Sequence, residues 1–149
     1  MSNLNKNMRI YASIRKDDVR SHMEDTLVRD GFDISSFATA SELWDRFQDR
    51  PARMVITDRR FEDGLSGLDL ARKILQGFML PYVFVIALST LGQIREIEEA
   101  LAAGADDYLM KPYNPFQIRT RIMVGLRWLA YIDSLYAKSS GSSGEAARK

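Results

Sequence analysis

Three side chains suited to one chemistry fall at the C-terminal ends of short apolar or β-branched runs: Asp58 after Met54-Val55-Ile56-Thr57, Ser89 after Val83 to Leu88, and Lys111 after Asp107 to Met110. Open parallel sheets bind ligands outside the carboxyl ends of their strands, so the three are read together. A carboxylate, a hydroxyl and an ammonium gathered there make an acyl-phosphate site. Asp58 would attack phosphorus, Ser89 would hydrogen-bond a phosphoryl oxygen, and Lys111 would pair with the added charge. An aspartate after a strand is more often a loop cap, so the joint placement carries the reading.

The elements that must position them alternate in period. Short apolar runs are followed about five times by segments of helical spacing, which predicts βαβ units around a mainly parallel sheet. The first strand is expected over Arg9 to Ile14. A helix follows from Asp17 to Asp30, started by Asp17 or Asp18, with Val19, Met23, Thr26 and Leu27 inward and Gly31 as its stop. A strand over Phe32 to Phe37 leads to Ser41, expected to cap a helix whose apolar face is Leu43, Trp44 and Phe47 and which ends before Pro51. The polar loop after Asp58, with Gly64 and Ser66, precedes a third helix over Gly67 to Gln76 with Leu70, Ala71, Ile74 and Leu75 inward. A fourth helix is expected to bury Ile94, Ile97 and Leu101 and to stop at Gly104.

Asn114-Pro115 marks the start of the last helix, expected to run to about Tyr136. It carries two apolar stripes. Ile118, Ile122, Leu129 and Ile132 form one, while Val124, Trp128, Tyr131 and Leu135 follow the 4-3-4 spacing of a coiled-coil seam and suggest a partner or a second copy. The alternative is a single broad face packed on the sheet. The Ser-Gly-rich stretch after Lys138 has linker composition, so the chain divides into a body over residues 8–132 and a helix extension with a flexible tail over 133–149.

The runs around these residues resemble the receiver domain of bacterial two-component response regulators. The resemblance spans roughly Met8 to Ile132 and is carried by Met54-Val55-Ile56-Thr57-Asp58, by Gly64-Leu65-Ser66-Gly67-Leu68-Asp69-Leu70, and by Gly104-Ala105-Asp106-Asp107-Tyr108-Leu109-Met110-Lys111-Pro112. It implies a flavodoxin-like α/β fold with strand order 2-1-3-4-5, phosphorylation of Asp58 by a histidine kinase, and a cis peptide before Pro112. It also makes Tyr108 the aromatic residue that turns inward when Ser89 moves toward the phosphoryl group.

One part of the pattern is broken. The family places two acidic residues after the first strand, where they hold Mg²⁺ together with the phospho-acceptor. Counting back from Gly31, those positions are Ile14 and Arg15. A single carboxylate beside an arginine is a poor cradle for an ion that wants octahedral oxygen ligation, so metal binding is expected to be weak or absent. Asp17 and Asp18 could stand in only with a loop insertion and a shortened helix. Arg15 can pair with Asp58 or with a phosphoryl group, can lock Asp58 in an ionised, satisfied state, or can lie exposed over the pocket mouth. Arg59-Arg60 adds positive charge after Asp58, Glu62 replaces a usual proline, and Thr90 narrows access. His22 is read as a packed or partly exposed histidine on the inward side of its helix.

The reading is therefore an atypical receiver acting through protein–protein interaction, with a conventional phospho-accepting receiver of altered metal dependence as the alternative. Neither is an enzyme beyond autocatalytic phosphoryl acceptance. The 149 residues carry 21 basic and 20 acidic side chains, a formal charge of +1, which indicates no general attraction to nucleic acid or anionic lipid. With no cysteine and one histidine, thiolate chemistry and zinc clusters are excluded. No apolar run approaches a membrane span, and the polar N-terminus lacks a signal core, so a cytoplasmic protein is expected. A flavin enzyme would need a glycine- or hydroxyl-rich loop after the first strand, which Ile14-Arg15-Lys16-Asp17 is not. Within these residues no helix-turn-helix segment follows the last helix, so a DNA-binding regulator finds little support.

Overall fold

The computed structural model describes residues 7–77, 81–89 and 94–148, with side chains through residue 139. Five parallel strands, β1 (Arg9–Ser13), β2 (Asp33–Phe37), β3 (Met54–Asp58), β4 (Phe84–Ser89) and β5 (Asp107–Met110), lie in the order β2-β1-β3-β4-β5. The helices are α1 (Asp17–Arg29), α2 (Ala40–Asp49), α3 (Gly67–Gln76), α4 (Ile94–Ala103) and α5 (Pro115–Arg148). This is the expected flavodoxin-like α/β fold.

Strand periodicity builds two cores. Ile10, Met54, Ile56, Phe84, Ile86 and Leu88 point to the face covered by α1 and α5, and meet Met23, Leu27, Ile122 and Leu129. Tyr11, Val55, Val85 and Ala87 point the other way, to Leu43, Leu70, Ala100 and Ala103. Side chains two residues apart share a face, so a central strand that is apolar throughout feeds both layers.

Several local expectations change. The first turn of α1 has Lys16 at its N-cap with no side-chain cap; Asp17 pairs with Arg20 at 2.7 Å and Asp18 accepts the Val19 N–H at 2.9 Å. Thr39, not Ser41, caps α2, accepting the Glu42 N–H at 3.1 Å. Ser41 Oγ instead accepts the Leu65 N–H at 3.0 Å and ties α2 to the loop after β3. Leu75 on α3 is 55% exposed, and His22 is exposed.

Helix α4 departs most. Ile94 is 74% and Leu101 50% exposed, and the buried residues are Glu96, Ala100 and Ala103. Small side chains let α4 lie close to the sheet, and close approach favours the Glu96-Ala100-Ala103 stripe over the bulkier one.

The inner stripe of α5 is Ile118, Ile122, Leu126 and Leu129, with Leu126 joining the expected set and Ile132 half-buried. Gly125 belongs to this contact, because a Cβ there would lie 2.5 Å from Met54 Cε. Reciprocal bonds between Asn114 and Gln117, 2.8 and 2.9 Å, start the helix where expected. It continues through residues 139–148, where a flexible tail was expected. Glu145-Ala146-Ala147-Arg148 are strong helix formers, whereas the Ser-Gly residues 139–144 before them are weak ones.

Candidate functional site

The parallel register sets the site. Asp58 pairs with Leu88 across β3 and β4, and Ser89 with Met110 across β4 and β5, so the three strand ends finish at one level. The turn after β3 is held tightly: the Gly67 N–H donates to the Arg59 carbonyl at 2.9 Å, and a Cβ on Gly67 would meet the Asp58 carbonyl oxygen at 1.9 Å. Only glycine fits there. Ser66 and Asp69 close a capping box over the start of α3, with the Asp69 N–H donating to Ser66 Oγ at 3.0 Å. The Ser66 N–H, donating to Asp69 Oδ2 at 3.2 Å, and then the Ser66 hydroxyl hold the Asp69 carboxyl below its ordinary value of 3.8.

Asp58 is 3% exposed. Its Oδ2 accepts the main-chain N–H of Arg15 at 2.7 Å, and its Oδ1 forms an ion pair with Lys111 Nζ. Beneath it, Ser13 Oγ donates to Thr57 Oγ1 at 2.6 Å. The Lys111–Pro112 peptide is cis, as expected. Asp58, Ser89 and Lys111 thus surround one cavity of about 180 Å³, which Arg15, Arg59, Arg60 and Glu96 also line.

Arg15 reaches Asp58 through its backbone, while its side chain is exposed at the rim. Ile14 is fully buried, its N–H donating to the Phe37 carbonyl at 3.0 Å, so this position extends the β1 layer of the core. Thr90 lies outside the described residues. Tyr108 is half-buried against the α2–α3–α4 core. Of the outer stripe on α5, Val124, Trp128, Tyr131 and Leu135 are 46–56% exposed, and the Trp128 and Tyr131 rings stack at 6.1 Å.

Glu96 is a site residue that the sequence reading missed. Ser89 Oγ donates to its Oε2 at 3.2 Å, the Arg59 guanidinium donates to its main-chain carbonyl at 3.0 Å, and Arg60 lies 3.9 Å from its Oε1. Arg59 also pairs with Glu99, and this contact lowers the Glu99 pKa. The available signal was the small-residue stripe Ala100-Ala103, which places Glu96 on the same helix face.

The family model for the response regulator receiver domain matches residues 16–123. The chain belongs to this family. Among curated proteins, this receiver is 31% identical over 101 residues to the phosphate regulon transcriptional regulatory protein PhoB of Rhizobium meliloti, covering 68% of the chain and 44% of that protein. It is 27% identical over 110 residues to chemotaxis protein CheY1 of Helicobacter pylori (strain 26695), covering 72% and 88%. The chain thus spans less than half of the PhoB relative. In fold it resembles a putative response regulator from Chloroflexus aurantiacus, with TM-score 0.75 and 22% identity over 81% of this chain and 98% of that one. It also resembles the receiver domain of a putative Luxo repressor protein from Vibrio parahaemolyticus, with TM-score 0.79 and 19% identity over 87% and 97%. A receiver is a phospho-accepting signalling module that partners with histidine kinases and is not an enzyme in the ordinary sense. No helix among the described residues is long and apolar enough to cross a membrane.

Proposed function

We propose that this receiver is an atypical one, whose Asp58 is held by the protein's own cation and backbone, and which signals from the cytoplasm through protein contacts. The observation that carries the reading is the double engagement of Asp58, with Oδ2 on the Arg15 N–H and Oδ1 on Lys111. Both oxygens of this buried carboxylate are thus engaged by the protein's own groups with no added group.

The donor set does not suit Mg²⁺. Four cationic side chains, Arg15, Arg59, Arg60 and Lys111, line the cavity against the carboxylates of Asp58 and Glu96, and Glu96 is engaged by Ser89. Ile14 presents no oxygen from its side chain, and Asp17 and Asp18 are occupied on the exposed first turn of α1. A hard cation with near-octahedral demands finds no cradle among these groups.

The body over residues 8–132 would carry the signal, and α5 the partner surface. We assign Val124, Trp128, Tyr131 and Leu135 to a helix seam with a second copy, because all four are about half exposed and share a heptad-like spacing on the side opposite Ile118, Ile122 and Leu129. The Arg53 guanidinium holds both oxygens of Asp133, at 3.0 and 2.9 Å, and anchors α5 as it leaves the sheet.

A second reading has one observation in its favour: the cavity beside Asp58 is about 180 Å³, and Lys111 and Ser89 line it. In that case an Asp58 oxygen would form the bond to phosphorus as the donor departs with the electron pair, and Lys111 and Arg15 would neutralise charge otherwise met by a metal. Intact mass after incubation with acetyl phosphate, with and without Mg²⁺, separates the two. The atypical reading expects no adduct in either case; a phosphoryl adduct on Asp58, formed with or without the metal, would overturn it.

A further inference from the structure

A cavity of about 700 Å³ lies beside the acceptor pocket, between α1 and the segment joining β5 to α5. That volume is in the range of about 300–1,000 Å³ typical of small-molecule sites and far exceeds what a phosphoryl group fills. Its walls are divided by chemistry. Val19, Met23, Pro115 and Ile118 supply apolar surface, and Arg15, Lys16 and Lys111 supply positive charge.

The charge is largely uncommitted. Lys111 is paired with Asp58, whereas the exposed Arg15 and Lys16 side chains make no ion pair among the described residues. Asp18, the sole carboxylate in the lining, is on the first turn of α1 with Oδ1 accepting the Val19 N–H at 2.9 Å. Tyr113 also lines the cavity, and its hydroxyl is shut off from solvent with no hydrogen-bond partner among the described residues. Burial raises the Tyr113 pKa, so this hydroxyl keeps its proton and stays a donor.

We propose that this cavity binds a small organic anion with an apolar ring body, its acidic head on Arg15 and Lys16 and its body against Val19, Met23 and Ile118. A guanidinium favours a planar or tetrahedral oxyanion, and the apolar wall excludes a bare inorganic ion as the best occupant. Arg15 and Lys111 line both cavities, so such a ligand would sit next to Asp58 and bias the state of the acceptor pocket. The site does not depend on whether Asp58 accepts phosphate.

The probe is 8-anilinonaphthalene-1-sulfonate, with N-phenyl-1-naphthylamine as its uncharged counterpart, titrated into the full chain without Mg²⁺ and followed by fluorescence and by amide chemical shifts. Saturable one-to-one binding is expected, with shifts concentrated in residues 15–26 and 111–118. Arg15→Met/Lys16→Met, on two exposed positions, should weaken the sulfonate by about tenfold while leaving the neutral probe unchanged. Trp128→Ala/Tyr131→Ala should not affect either. The proposal is overturned if the sulfonate fails to saturate, if the double methionine variant binds it within twofold of the original chain, or if the shifts gather on the outer stripe of α5. None of these outcomes bears on the acetyl phosphate experiment.

Discussion

At the scale of single residues, Asp58 and Lys111 are coupled by burial. Removing the ammonium leaves a carboxylate, 3% exposed, with only the Arg15 N–H on one oxygen. Lys111→Met should therefore lower unfolding stability by about 1–3 kcal/mol, the cost of an unsatisfied buried charged group after partial relaxation. Adding Asp58→Asn to that variant should restore most of the loss, because the neutral amide needs no counter-charge. Urea unfolding of the two single variants and the double variant measures the coupling directly. Additive losses would mean that Asp58 is charge-balanced by other groups. Gly67 matters for a different reason: the Asp58 carbonyl occupies the space of its Cβ, so the small residue sets how closely α3 approaches the acceptor.

At the scale of elements, α4 is tied to the site at three points: Glu96 to Ser89 at the end of β4, and the Glu96 carbonyl and Glu99 to Arg59 in the loop after β3. Glu96→Ala removes the first of these and should raise amide exchange across α4 more than across α3, with a global loss of about 0.5–1.5 kcal/mol. Equal exchange in the two helices would show that the Ser89 contact does not hold α4. The start of α3 supplies a pH dependence. The folded Asp69 pKa lies below the unfolded value of 3.8, so the stability from this group is present above 3.8 and is lost as pH falls through the folded value. Asp69→Asn should flatten the acid limb of the stability curve below about pH 4. Asp106, raised mainly by burial, acts with the opposite sign: its contribution is present at low pH and is lost as pH rises from 3.8 through its folded value.

For the whole molecule, the long last helix links the sheet to a second apolar surface. Its inner side chains are buried in the core, each worth roughly 1.5–3 kcal/mol, and the outer Trp128 and Tyr131 remain half exposed. Light scattering of the chain should report a dimer, and Trp128→Ala/Tyr131→Ala should move the mass toward the monomer. An unchanged mass would remove the proposed seam. Arg53 and Asp133 provide a second check on the geometry, since their bidentate pair requires α5 to stay helical past the edge of the sheet.

The strands, the order of elements and the meeting of Asp58, Ser89 and Lys111 were legible in the sequence. Strand period and strand-end position are local properties, and a parallel βαβ arrangement brings the strand ends to one edge. The stop at Gly31 and the cap at Asn114 were legible for the same reason. Choices between faces and partners came only with the packed fold. Two stripes on α4 have comparable period, and the small one won because the helix packs close to the sheet. Ser41 looked like a helix cap but found the Leu65 N–H across the loop. Arg15 met Asp58 through its main-chain N–H, a group every non-proline residue possesses, so residue type could not reveal that contact.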